Sequence, residues 1–179
     1  MYLDFFNLTE KYLSKNIYYF NLLAYSLLAF LVPFFMGHPQ IFVGVIVNTA
    51  LFLTALNLKF KESLGVIVLP SIAVLARGMI FGALTKYLLL LIPFIWIGNL
   101  ILVYLMKYFY LKNKNNFFSS IIFCSVIKSS FLFIITSIFY FFNMLPIQFL
   151  MVMGLLQLIT AFSGGLVASV AQKSMSRIL

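Results

Sequence analysis

The stretch FFSSIIFCSVIKSSFLFIITSIFYFF, residues 117–142, is apolar at nearly every position and holds one lysine, Lys128, near its middle. As a helix rising 1.5 Å per residue, a run of this length covers the roughly 30 Å hydrocarbon core of a bilayer. It has no period-two alternation of apolar and polar residues, so it does not read as a barrel strand. A backbone in hydrocarbon must satisfy its own hydrogen bonds, and a helix does so within one segment.

The same reading extends outward along the chain. Further apolar runs span 17–35, 41–58, 87–110 and 149–171, and another begins near 64 and fades across ARGMIFGALTKY, residues 76–87. Two glycines and two cations in that last stretch predict a broken helix or a re-entrant loop. Short connections, MGHPQ at 36–40 and NMLPIQ at 143–148, leave room only for hairpins. Of the 179 residues 64% are hydrophobic and 8% charged, and the mean hydropathy is +1.14. A soluble domain needs a polar exterior that this composition does not provide. The expected fold class is an all-α integral membrane bundle of about six transmembrane helices. Residues 17–179 form its single transmembrane domain. Residues 1–16 precede it as an interfacial helix, with Tyr2, Phe5, Phe6 and Tyr12 on one face and Asp4, Asn7, Lys11 and Lys15 on the other.

The net charge of +9 is accounted for mainly by topology. Lys11, Lys15, Lys59, Lys61, Lys107, Lys112, Lys114, Lys173 and Arg177 all fall on one side of a six-span layout. The positive-inside rule then makes both termini cytoplasmic in the cell membrane. Cations scattered over several short loops are no nucleic-acid surface. One cysteine, Cys124, permits no internal disulfide and no metal cluster, so no metal or cofactor is expected.

Enzymatic chemistry finds few candidates. Metal centres need several His, Cys or acidic ligands, and the chain has one histidine, His38, and three acids. Serine hydrolysis needs a base beside the nucleophile, and His38 sits in an outer turn, next to Pro39. The P-loop spacing G-x-x-x-x-G-K is absent, so the chain cannot itself harness nucleotide hydrolysis. The protein is expected not to be an enzyme.

Polar groups inside the membrane are costly and call for a partner or a purpose. Lys128 lies about eleven residues into its run, ~16 Å deep, with Ser125, Ser129 and Thr136 on the same helical face. Asn48, Asn99 and Gln157 fall at comparable depth in other runs, and His38, Arg77 and Gln148 fall near the outer face. No Asp or Glu follows Glu62, so no carboxylate in the later spans neutralises Arg77 or Lys128. Two readings stand. In one, an anionic small molecule enters from outside and binds Lys128 and Arg77, oriented by Asn48, Asn99, Gln157, Ser125, His38 and Gln148. In the other, Lys128 bonds to carbonyls and the amides hold helices together. The small residues Ala161, Gly164, Gly165 and Ala168 form a stripe that suits close packing, either inside the bundle or against a partner helix.

HPQ at 38–40, GVIVLPSIAVLARG at 65–78, IPFIWIGNLILVYLMKY at 92–108 and LITAFSGGLVAS at 158–169 sit in a small, basic, roughly six-helix chain. In this layout the protein resembles the substrate-binding S components of energy-coupling factor (ECF) transporters. The resemblance implies capture of a vitamin or similar micronutrient from outside, with a separate transmembrane coupling subunit and a pair of ATPases. In the first helix, Ala24 and Ala29 stand five apart where such proteins often carry an A-x-x-x-A docking pattern. The alternative is a non-catalytic structural or assembly subunit of a larger membrane complex.

Overall fold

A computed structural model describes residues 5–10, 14–36, 38–78 and 85–178, with the side chains of 85, 86 and 176–178 outside that description. These residues form six helices: α1 (Lys15–Phe35), α2 (Gln40–Asn57), α3 (Phe60–Arg77), α4 (Thr85–Met106), α5 (Phe117–Phe141) and α6. Helix α4 continues through a π-helical segment, Lys107–Lys112. Helix α6 starts as Gln148–Met151, widens into a π turn at Val152–Leu156 and runs on as Gln157–Ile178. Five of the six are long and apolar enough to cross a membrane, as expected for a multi-pass membrane protein. The exception is α3, which carries Lys61 and Glu62 in its first turn and Arg77 in its last.

Turn chemistry marks the ends. Asn116 caps α5 by accepting from the Phe118 N–H at 2.8 Å, satisfying one of the donors that every helix start leaves free. Asn143, with φ +57°, turns the chain after α5, and Gly78, with φ +84°, ends α3. Both lie in the left-handed region that Asn and Gly enter most readily. Helix α3 thus stops inside the stretch expected to break, and residues 79–84, its centre, lie outside the described residues.

Helix α2 is the hub. It packs against α1, α3, α4 and above all α6, and it is the most buried of the five spans. Its neighbours show one buried stripe each: on α1 these are Asn21, Tyr25, Ala29 and Pro33, at i, i+4 spacing, while Phe20, Leu23, Leu27 and Leu31 face outward. The apolar core falls into two clusters. The larger, around Leu51, Phe52, Leu56, Leu102 and Ile121, fills the half of the bundle nearer the lysine-rich end. The smaller, around Leu88, Leu91, Leu132, Phe149 and Met153, fills the opposite half.

The small-residue stripe of α6 is used inside the bundle. A Cβ on Gly164 would stand 2.7 Å from Asn48 Cβ and 2.8 Å from the Val45 carbonyl oxygen, and one on Gly165 would stand 2.5 Å from Ile121 Cγ2. Ala161 and Ala168 are fully buried. These four residues seat α6 on α2 and α5 of the same chain, which leaves them no face for a partner helix. Ala29 is likewise buried, so the Ala24/Ala29 pair offers no continuous outer seam.

Polar clasps fix the lysine-rich end. Asn57 and Gln172 exchange side-chain hydrogen bonds at 2.9 and 3.1 Å, and Asn57 Nδ2 also donates to the Tyr25 hydroxyl at 3.1 Å. Changing Asn57 or Gln172 singly to Leu strands the other amide and is expected to cost about 1–3 kcal/mol. The double variant should cost less than the sum of the two, measured by a double-mutant cycle on thermal unfolding in detergent.

Lys107, expected among the connection cations, is instead fully buried. Its ammonium donates to the Leu58 carbonyl at 2.6 Å and the Leu8 carbonyl at 2.8 Å. A long side chain that reaches two carbonyls outside the helices, at the C-cap of α2 and in the segment 8–10, can be buried where a hydropathy plot places a loop. Of the expected interfacial helix, residues 1–4 and 11–13 lie outside the described residues. Phe5 and Phe6 are helical, whereas residues 8–10 are not; Glu10 N–H donates to the Leu56 carbonyl at 2.8 Å, and Phe5 packs on Tyr104 with ring centroids 5.1 Å apart. Lys107→Met is expected to free residues 8–10, seen as faster proteolysis of the N-terminal segment with the bundle still folded.

Candidate functional site

A cavity of about 150 Å³ lies among all six helices. Three prolines of the chain sit inside helices: Pro33 in α1, Pro70 in α3 and Pro93 in α4. Proline removes an N–H and kinks its helix, and Pro33 and Pro70 line this cavity. The π turn of α6 contributes Val152, Met153 and Leu156 to the opposite wall. Such turns recur at functional sites because they displace a helix face without ending the helix.

Lys128 reaches the cavity from α5, with 2% of its surface exposed. Its ammonium donates to Asn48 Oδ1 on α2 at 2.6 Å. Asn48 Nδ2 in turn donates to the Gly44 carbonyl at 2.9 Å and to Thr160 Oγ1 on α6 at 3.3 Å. One chain of hydrogen bonds therefore ties α5, α2 and α6 at mid-bundle. Gly44 makes the approach possible, because a Cβ there would meet Thr160 Cγ2 at 2.8 Å. Asn99 on α4 donates to the Ile67 carbonyl at 3.2 Å, in the turn of α3 that Pro70 loosens. From these polar groups the walls extend toward the end that holds the 36–40 and 142–148 connections.

An ammonium has three donors, and for Lys128 the Asn48 oxygen takes one. No carboxylate lines the cavity; among the described residues the acids are Glu10 and Glu62, both at the lysine-rich end. Gln157 lines the cavity too, and its Oε1 is out of solvent contact and accepts from no donor among the described residues.

Of the residues expected at a ligand site, Lys128, Asn48, Asn99 and Gln157 come together here. Ser125 is fully buried one turn from Lys128, its hydroxyl without a partner among the described residues and outside the cavity lining. Arg77 lies exposed at the end of α3, and His38 and Gln148 are exposed near the ends of α2 and α6. None of these three lines the cavity, so Lys128 is the only cation among the lining residues. Ser129 and Thr136, on the Lys128 face, are buried and bond back to carbonyls of their own helix. Sequence reading missed Gly44, Thr160 and Gln40; only the close approach of α2 and α6 reveals the first two. Among the described residues no group of three His, Cys, Asp or Glu is placed to hold a metal ion.

No protein family, curated protein or solved structure matches the chain.

Proposed function

We propose that the protein is a membrane-embedded solute-binding subunit of a micronutrient uptake transporter, taking an anionic small molecule from the outer side of the cell membrane. The observation that carries this reading is the Lys128 amine, buried at a cavity among the helices with no carboxylate among the described lining residues. An anionic guest supplies the missing counter-charge and accepts the two donors that Asn48 leaves free, and charge-assisted bonds of this kind are the strong ones. The distribution of lysines supports an orientation with both termini in the cytoplasm and the cavity facing outward. Without a nucleotide-binding loop of its own, the chain is proposed to work with a coupling membrane subunit and a pair of ATPases, and to perform no catalysis itself.

The competing reading, a structural subunit, loses support because the small-residue stripe of α6 is occupied internally. Native mass spectrometry of the purified protein tests the proposal directly. A bound organic anion, lost on replacing Lys128, is the expected result; protein that carries none and binds no anion sinks it. Co-purification with ATPases from the native membrane tests the assembly.

A further inference from the structure

We infer that this site, on the reading just proposed, takes a monocarboxylate with a compact apolar body and rejects phosphate esters and other dianions.

Charge decides the class. Lys128 is the only cation among the described lining residues, and no acid lines the cavity with it. A bound monoanion and a protonated Lys128 cancel. A dianion leaves one negative charge uncompensated, beside an amine that is itself only 2% exposed. An unpaired charge held out of water lowers affinity by roughly 10²-fold or more.

The hydrogen-bond donors favour the same class. Protonated, Lys128 has three N–H donors, and the one given to Asn48 Oδ1 leaves two, matching the two oxygens of a carboxylate. Asn48 adds none, since its oxygen faces the amine and its amide N–H groups go to the Gly44 carbonyl and to Thr160 Oγ1. Asn99 gives one amide N–H to the Ile67 carbonyl and keeps the other. A phosphate monoester brings three strong acceptor oxygens and a second charge to a place served by a single cation.

The rest of the wall describes the body of the ligand. Val74, Leu88, Ile95, Val152 and Met153 line it, and a volume of about 150 Å³ is the scale of a cavity that holds a single benzene ring. A hydroxylated body of that size would set its hydroxyls against these side chains, and each one left unpaired lowers affinity by roughly fivefold or more.

Isothermal titration of the full chain in detergent with benzoate, glucuronate and phenyl phosphate tests this. Benzoate carries one charge on an apolar ring, and glucuronate carries one charge on a hydroxylated ring. Phenyl phosphate keeps the apolar ring, but its phosphate is mostly dianionic at about pH 7.5. Benzoate is expected to bind most tightly, with glucuronate weaker by at least about tenfold and phenyl phosphate by roughly 10²-fold or more. Lys128→Met should abolish benzoate binding, and Lys128→Gln gives the same comparison if the Met variant does not fold. Lys128-dependent binding of phenyl phosphate or glucuronate as tight as that of benzoate overturns the inference and leaves the anion site standing. Absence of Lys128-dependent binding of all three overturns both.

Discussion

Lys128→Met is expected to abolish anion binding while leaving the bundle folded and about as stable. Two charge-assisted hydrogen bonds to a bound carboxylate contribute about 1.5–3 kcal/mol each. Losing both corresponds to a drop in affinity of roughly 10²-fold or more. Stability should change little, because relief of a buried charge that lacks a counter-charge offsets the loss of the one donor to Asn48 Oδ1, which costs about 1–3 kcal/mol. Asn48 keeps its bonds to Gly44 and Thr160 in the variant. The pair of readouts separates function from scaffolding. Were Lys128 a structural strut, its loss would lower the unfolding temperature and leave binding of any solute untouched. Calorimetry with a benzoate probe and thermal unfolding of the same sample give both answers.

The second large effect is expected at the helix pair that carries the site. Gly164→Ala brings a methyl group within 2.7–2.9 Å of Asn48 Cβ, the Val45 carbonyl oxygen and the Thr49 nitrogen. Two of these are backbone atoms of α2, which cannot swing aside as a side-chain tip can. Overpacking of this kind costs about 1–3 kcal/mol, a fall in unfolding temperature of roughly 2–12 °C for a chain of this size. Relief comes only from parting α2 and α6, which also lengthens the Asn48–Thr160 bond, already 3.3 Å. Binding should therefore weaken together with stability, in contrast to Lys128→Met. An Ala variant with wild-type unfolding would show that the two helices do not meet as described.

The contrast between these variants shows which properties a sequence exposes. Runs of apolar residues and their punctuation by Asn, Gly and Pro were readable because hydropathy and backbone preference are local: Asn116 and Asn143 stand at the start and end of α5 as such residues should. Lys128 was readable as an intramembrane charge, and Asn48, Asn99 and Gln157 as polar groups at the same depth. Which way a helix is rotated is another matter. Arg77 was grouped with Lys128 by charge, yet it lies exposed at the tip of α3, because a mostly apolar helix gives little sign of which face turns inward. Gly44 and Thr160 carry no charge to draw notice, and their importance lies in how closely two helices approach. Lys107 was counted with the loops because a tally of charges does not register carbonyls waiting within reach of a long side chain.

The two halves of the bundle are held in different ways. Near the lysine-rich end, reciprocal amides, a ligated ammonium and the larger apolar cluster lock the helices against one another. Beyond mid-depth the apolar cluster is smaller, a cavity opens among the helices, and three helices carry an internal proline, Pro33, Pro70 and Pro93. Cooperative opening follows the weaker half, so amide exchange should be slow around Leu56 and Asn57 and faster around Val74 and Val152. The molecule is then expected to move like a pair of tweezers riveted at one tip, parting at the other while the rivet holds.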